Sequence, residues 1–181
     1  MQQNTSPERG SLEFLETYPS GSETIILPSG KSVEVKKYFL KFKKWNGNPI
    51  ANTYGGKAVI DFNGEPLFAE LAVLKLFQEN GWDGVWVDSY RKKYRIGLPD
   101  VTEAVSIPND KQKLIDELRI KTGKFGGCWD LFVWKGSELV FVELKRKKED
   151  RIQESQRQWL QVSIESELST SNFLFIEWIL E

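Results

Sequence analysis

Two apolar, aromatic runs joined by a short polar turn constrain the fold of this chain more than any other feature. The runs extend from Cys128 to Trp134 and from Leu139 to Lys145, and both are rich in the aromatic and β-branched residues typical of strands. Gly136 and Ser137 between them suit the tip of a two-residue type II′ turn. The pattern therefore predicts an antiparallel β-hairpin whose turn determines which residues face each other.

The predicted hairpin places two acidic side chains opposite each other. Counted outward from the tip, Asp130 lies across from Glu143, and Lys145 lies two residues further along on the same face. Facing carboxylates repel, and a solvated charge pair on an edge hairpin is one interpretation. Glu143, however, directly follows the apolar run Val140 to Val142, which favours a functional site. A divalent cation would remove the repulsion, because Mg²⁺ binds carboxylates together with water and phosphate oxygens.

Composition excludes several kinds of chemistry. The chain has no histidine, which excludes His-ligated zinc, Ser-His-Asp hydrolysis and histidine acid–base catalysis, so hydrolysis would have to use carboxylates, lysines and a hard metal ion. The single cysteine excludes an internal disulfide framework. No apolar run is long enough for a membrane span, and the first ten residues lack the apolar core of a signal peptide. We therefore expect a soluble cytoplasmic protein with no membrane partner.

Periodicity and capping residues predict helices and further strands around the hairpin. The predicted elements are helices from Pro66 to Asn80, Asp110 to Lys121 and Glu149 to about Glu167, and strands from Gly84 to Tyr90 and Asn172 to Leu180. Pro66 suits the first position of its helix, and the nearly continuous apolar character of the last strand predicts burial on both faces. The order helix, three strands, helix, strand indicates an α/β fold with a mixed central sheet flanked by helices.

The facing residues and the helix after them resemble a known nuclease superfamily. Asp130 on one strand and Glu143 and Lys145 on the next match the pattern of the PD-(D/E)XK nucleases. Gln156 with Trp159-Leu160 on the following helix is similar to the VRR-NUC branch of that superfamily. The resemblance extends from about residue 65 to residue 181, with an unmatched stretch at about 91–123. It implies a restriction-endonuclease-like core.

The resemblance also implies roles for individual residues. Asp130 and Glu143, helped by the backbone carbonyl of Leu144, would bind Mg²⁺ or Mn²⁺. Lys145 would assist the hydrolysis of phosphodiester bonds, and Gln156 would belong to the active site. From the residues alone, Gln156 interrupts an apolar helix face, and it would bond either to a metal site or to backbone at the edge of the core. The departure from the family pattern is a tryptophan, residue 129, in place of the proline before the Asp.

Glu70 is the best match for a further family acid with a catalytic and metal-binding role. It shares an apolar helical stripe with Val73, Leu74 and Phe77, and a buried acid needs a partner. The alternative is that Glu70 lies at the margin of the stripe and reaches water.

Basic residues suggest DNA as the partner, although the net charge of −1 does not indicate a nucleic-acid-binding protein by itself. The candidates for contact with phosphates are Arg146, Lys147, Lys148 and Arg151, which adjoin the predicted metal site. Two earlier clusters are solvated faces or further DNA contacts: Lys36, Lys37, Lys41, Lys43 and Lys44, and then Arg91, Lys92, Lys93 and Arg95.

The region before the first helix is predicted to be an extension of the same domain. Residues 1–21 are expected to be a mobile segment, and residues 22–181 a single nuclease-like domain. Within that domain, residues 22–62 form a β-rich extension with strands Thr24 to Leu27 and Lys31 to Phe42, and residues 63–181 form the core with a helical insertion at about 91–123. Whether the extension contacts DNA or a second copy stays open.

The function expected from these features is metal-dependent hydrolysis of DNA, as an endonuclease or exonuclease, with structure-selective cleavage as one form of it. A non-cleaving nucleic-acid-binding module on the same fold is the alternative, and a partner-binding domain with a tryptophan-rich surface is a third hypothesis. A homodimer is compatible with the resemblance, since related stand-alone nucleases often pair to cut two strands.

Overall fold

A computed structural model describes residues 11–101 and 104–181, which form an α/β structure. The helices are α1 (Ala69–Glu79), α2 (Asn109–Thr122) and α3 (Glu154–Glu165), with 3-10 helices at Glu13–Thr17 and Thr170–Asn172. The strands are β1 (Ser20–Ile26), β2 (Ser32–Lys44), β3 (Ile60–Phe62), β4 (Glu65–Leu67), β5 (Asp83–Asp88), β6 (Lys93–Arg95), β7 (Leu131–Lys135), β8 (Glu138–Arg146) and β9 (Phe173–Leu180). None of the described helices has the length and apolar character needed to cross a membrane.

The strands form one mixed sheet in the order β4-β3-β2-β9-β8-β7-β5-β6, with β1 paired to β2. β9 lies between β2 and β8 and runs parallel to both, while the other pairs are antiparallel. The mixed central sheet predicted from the sequence is confirmed.

The predicted hairpin and its register are confirmed. Lys135 pairs with Glu138 and Leu131 with Val142, so the next position outward sets Asp130 against Glu143. Gly136 has a φ of 60° and Ser137 has no positive φ, as a type II′ turn requires. The two-residue turn therefore determines which side chains meet at the far end of the hairpin.

Each face of the sheet carries one apolar layer. α1 packs on the face that receives Val140 and Val142 of β8, whereas α2 and α3 cover the face that receives Leu139 and Phe141. Because side chains alternate along a strand, Glu143 and Lys145 point to the α2/α3 side.

The N-terminal strands are part of the central sheet. β2 pairs in parallel with β9 from Lys36 to Phe42, so the region predicted as an extension is the side of the sheet next to β9. The predicted mobile segment 1–21 lies outside the described residues up to residue 10. From residue 11 onward it includes a 3-10 helix whose Leu15 is fully buried, so the fold begins before the predicted boundary at residue 22.

The first predicted helix begins later than expected. Pro66 lies in β4 and pairs with Asp61, and α1 starts at Ala69. Asn63 and Gly64 have φ values of 52° and 86°, which is the type I′ geometry that joins β3 and β4 as a hairpin. The assignment of Pro66 to a first helical position was wrong because this Asn-Gly turn takes the residues after it into a strand.

The third helix is also shorter at its start, whereas the second matches the prediction. α3 starts at Glu154 rather than at Glu149, because Lys148 adopts a φ of 68° and the Asp150 carboxylate accepts a hydrogen bond from the Arg146 backbone N–H. These contacts form a turn after β8. α2 ends at Thr122, and Gly123 after it adopts the left-handed conformation typical of a helix stop.

Candidate functional site

The outer end of the β7–β8 hairpin holds the two facing acids. Asp130 directly precedes β7, and its backbone N–H donates to Oε2 of Glu143 at 3.3 Å. The Leu144 backbone N–H donates in turn to Oδ2 of Asp130 at 2.9 Å. Glu143 is 3% exposed. The strand pairing thus brings together two carboxylates, of which Glu143 is buried and Asp130 is partly buried.

Lys145 and Gln156 both contact the Glu143 carboxylate. Nζ of Lys145 lies 3.0 Å from Oε1 of Glu143, and Nε2 of Gln156 donates to the same oxygen at 2.5 Å. The lysine also donates to Oε1 of Gln156 at 3.2 Å and to the Arg151 carbonyl at 2.9 Å. All three ammonium hydrogens therefore have acceptors, and the Lys145 ammonium is held in one position.

The start of α3 sets the position of Gln156. The Gln153 backbone N–H donates to Oε1 of Gln156 at 2.9 Å, and the Gln153 side chain accepts a bond from the backbone of Gln156, which is a capping box. The Trp129 indole N–H donates to the Gln156 carbonyl at 3.2 Å. Of the two alternatives for Gln156, the structure shows contact with the charged site, together with one backbone bond.

Burial raises the pKa of both acids, and repulsion between carboxylates adds to the shift at Asp130. Burial is the main cause that raises the pKa of Asp130 well above its usual range, and the neighbouring carboxylates of Glu143 and Glu70 add to it. Burial also raises the pKa of Glu143, against the opposing effects of Lys145 and Gln156. Even with the Lys145 ammonium beside it, the pair therefore favours retaining a proton when no metal ion is bound, and carboxylates of this kind are common at functional sites.

Glu70 lies in the first turn of α1 and faces a lysine that the sequence analysis did not identify. Nζ of Lys57 lies 2.5 Å from Oε1 of Glu70, while Oε2 of Glu70 is buried and has no hydrogen-bond partner in the described part of the chain. Glu70 is 8% exposed, so it does not reach freely into water as one alternative proposed.

Two connected clefts open at these residues, and Glu70, Asp130, Gln153 and Gln156 line both of them. One, of about 610 Å³, also reaches Glu143, Leu144 and Lys145. The other, of about 660 Å³, extends toward the turn between β5 and β6. The acids are therefore accessible to a ligand of nucleotide size from two directions.

The far rim of the larger cleft is cationic and aromatic. The Arg91 guanidinium stacks 3.3 Å from the centre of the Tyr54 ring, and Tyr90 beside it is 89% exposed. Asp88 lies below, paired with Nε of Arg95 at 2.9 Å. This rim combines a charged group for phosphates with an open aromatic ring.

The four basic residues predicted to contact phosphates lie in different places. Arg146 lies on the opposite face of β8 from Lys145, where it pairs with Glu149 at 3.0 Å and its guanidinium lies over the Trp178 ring. Lys147 and Lys148 are exposed in the following turn, and Arg151 is exposed and borders the smaller cleft. The structure therefore brings Asp130, Glu143, Lys145 and Gln156 together, sets Glu70 at their side, and does not bring Arg146 into the cleft.

The donors fit a hard divalent cation. Asp130 and Glu143 supply the two carboxylates that Mg²⁺ sites combine with water and substrate oxygens, and Glu70 Oε2 is a further carboxylate oxygen without a partner. No arrangement of three or more Asp, Glu, Cys or His side chains suited to a metal ion occurs within residues 11–101 and 104–181.

Comparison found no matching family model, no significant match among curated proteins and no significant match among solved structures.

Sequence reasoning missed two residues of the site. Lys57 lies in an irregular loop between β2 and β3 with no periodic pattern, so no local signal marked it. Gln153 carried no clear signal either, because the sequence signature of a capping box has Ser or Thr, not Gln, three positions before the Glu or Gln. The hypothesis of a tryptophan-rich surface was wrong, since six of the seven tryptophans are buried and Trp45 is partly buried.

Proposed function

We propose that this chain is a Mg²⁺- or Mn²⁺-dependent deoxyribonuclease that hydrolyses phosphodiester bonds on a restriction-endonuclease-like core. The observation that carries the proposal is the charged cluster at the hairpin end, where Lys145 and Gln156 both contact Oε1 of the buried Glu143 and Asp130 lies opposite Glu143. A cluster of this kind costs stability, and a metal-assisted hydrolase uses it. The element order helix, strands, helix, strand around it supports the same assignment.

Each residue of the charged cluster has a task in this proposal. Asp130 and Glu143 would hold the ion, with the carbonyl of Leu144 as a further oxygen ligand. Bound there, the ion supplies Lewis-acid activation of the phosphate and makes water a stronger nucleophile at neutral pH. Lys145 orients water and offsets negative charge that develops on the phosphate. Gln156 keeps the side chains of Lys145 and Glu143 in position through one hydrogen bond to each.

The rim of the larger cleft supports a nucleic acid as the substrate. Binding of nucleic-acid strands uses cationic groups for the backbone and aromatic rings for the bases, and Arg91 and Tyr90 offer both. Exposed Arg151 at the smaller cleft, and exposed Lys147 and Lys148 in the turn that precedes it, would contact flanking phosphates.

Cleavage assays test the proposal directly. End-labelled single-stranded, duplex, flapped and four-way DNA would be incubated with the native protein and Mg²⁺ or Mn²⁺, alongside Lys145→Met and the control Lys113→Met. Lys113 is an exposed lysine of α2 that pairs with Glu117. We expect metal-dependent cleavage by the native and control proteins and a loss of about 100-fold or more in Lys145→Met, which keeps the aliphatic stem of the side chain.

Folding of each variant would be verified by circular dichroism. Binding of DNA without cleavage at any metal concentration, by correctly folded native protein, would reject the nuclease and favour the non-cleaving binding module. Equal cleavage by native and Lys145→Met would reject this site.

A further inference from the structure

The Lys57 ammonium is fixed beside the acids by contacts from two directions. Its Nζ lies 2.5 Å from Oε1 of Glu70 and 5.8 Å from the ring centres of both Phe68 and Trp86. Lys57 and Asp130 line the same cleft, so the ammonium borders the space in which a ligand of Asp130 would bind. An ammonium over aromatic faces and against a buried carboxylate is an energetically favourable placement.

The charge of Lys57 is retained in this position. Burial lowers the pKa of Lys57, but the Glu70 carboxylate outweighs this effect and the net pKa is raised, with Asp130 contributing to the attraction. Glu70 therefore already has a cation, although only one of its oxygens is used.

The balance of charges indicates how many metal ions the site accepts. Three carboxylates (Glu70, Asp130 and Glu143) and two ammonium groups (Lys57 and Lys145) give a net charge of −1 when all are ionised. The other charged residues of the smaller cleft leave this total unchanged, because Glu149 pairs with Arg146 and Asp150 and Arg151 carry opposite charges. One divalent ion would change this charge to +1, which is balanced by the single negative charge of one phosphodiester group. A second ion would leave an excess positive charge in a largely buried site, which is costly.

We propose that Lys57 takes the place of a second divalent ion. The native site then binds a single ion, held by Asp130 and Glu143, while Glu70 forms an ion pair with Lys57 instead of binding metal. This inference rests on the proposed metal site and deepens it. In the reaction, the Lys57 ammonium would offset negative charge on a phosphate bound in the cleft that Lys57 and Asp130 line. Removal of the ammonium leaves the Glu70 carboxylate, next to Asp130, as a ligand for a second ion.

The number of bound Mn²⁺ ions tests this role without any measurement of activity. Titration followed by the electron paramagnetic resonance of free Mn²⁺ would be carried out on the native protein, Lys57→Met, Lys57→Arg and the double variant Lys57→Met with Glu70→Gln. We expect one ion per chain in the native protein and in Lys57→Arg, two in Lys57→Met, and one again in the double variant. Lys75→Met is the matched control, because Lys75 pairs with Glu65 outside the site, and it should bind one ion.

The outcomes separate the two proposals. One ion in both the native protein and Lys57→Met, or two ions in the native protein, would overturn the role of Lys57. Absence of Mn²⁺ binding by folded native protein would overturn the metal site itself, and the Lys57 proposal with it. Asp130→Asn would be titrated in parallel, because loss of the native ion in that variant assigns the ion to the hairpin acids.

Discussion

Gly127 is the position where one added methyl group should disturb both the fold and the site. Its φ is +100°, and a Cβ atom there would lie 2.5 Å from the carbonyl oxygen and 2.9 Å from the carbonyl carbon of Ser155 in the first turn of α3. Backbone atoms at that distance must move. Gly126 beside it has no positive φ, and a Cβ there would meet no atom within 4 Å.

The expected cost of Gly127→Ala follows from these two features. A non-glycine residue in a sparsely populated backbone region costs about 1–3 kcal/mol, and forcing an extra methyl group into a packed position costs a similar amount. Partial relaxation of α3 would reduce the sum, so we expect a loss of about 3 kcal/mol in the free energy of unfolding. For a domain of this size, that loss lowers Tm by about 6–12 °C.

Thermal unfolding followed by tryptophan fluorescence would compare Gly127→Ala with Gly126→Ala, which should match the native protein or exceed its stability slightly. Because Ser155 precedes Gln156, the shift of α3 should also weaken Mn²⁺ binding in Gly127→Ala. A Tm for Gly127→Ala within about 1 °C of that of Gly126→Ala would refute this account of the Gly127–Ser155 packing.

Two further predictions concern charge and substrate contact. In metal-free protein the raised carboxyl pKa values mean that the folded state binds protons more tightly than the unfolded chain, so stability should fall as pH rises from about 4 through the raised pKa. Asp130→Asn should therefore unfold at a higher temperature than the native protein at pH 7 in EDTA, and added Mn²⁺ should not raise its Tm. Parallel pH profiles of Tm for the two proteins would contradict this prediction. Tyr90→Ala should weaken binding of a labelled single-stranded oligonucleotide about tenfold by fluorescence anisotropy, because stacking on one ring contributes about 1–3 kcal/mol per base. The exposed Ile120 on α2 provides the control Ile120→Ala, and equal affinities for the two variants would exclude Tyr90 from the interface.

The sequence by itself determined the hairpin and the pair of acids it carries. A Gly-Ser tip between two apolar runs permits one register, and that register sets Asp130 against Glu143 with Lys145 on the same face. These are local relations, because neighbours across a short turn are separated by few residues. The inward polar contact of Gln156 was also predictable in part, since it interrupts an apolar helix face.

Only the tertiary structure decided the pairing of Lys57 with Glu70 and the place of β2 next to β9. β2 pairs with β9 across more than a hundred residues of chain, and parallel pairing leaves no turn between the two strands that could mark their register. Lys57 reaches Glu70 from an irregular loop because the β3–β4 hairpin folds the chain back between them. Contacts between distant residues depend on how whole elements pack, and no local pattern around Lys57 records that packing.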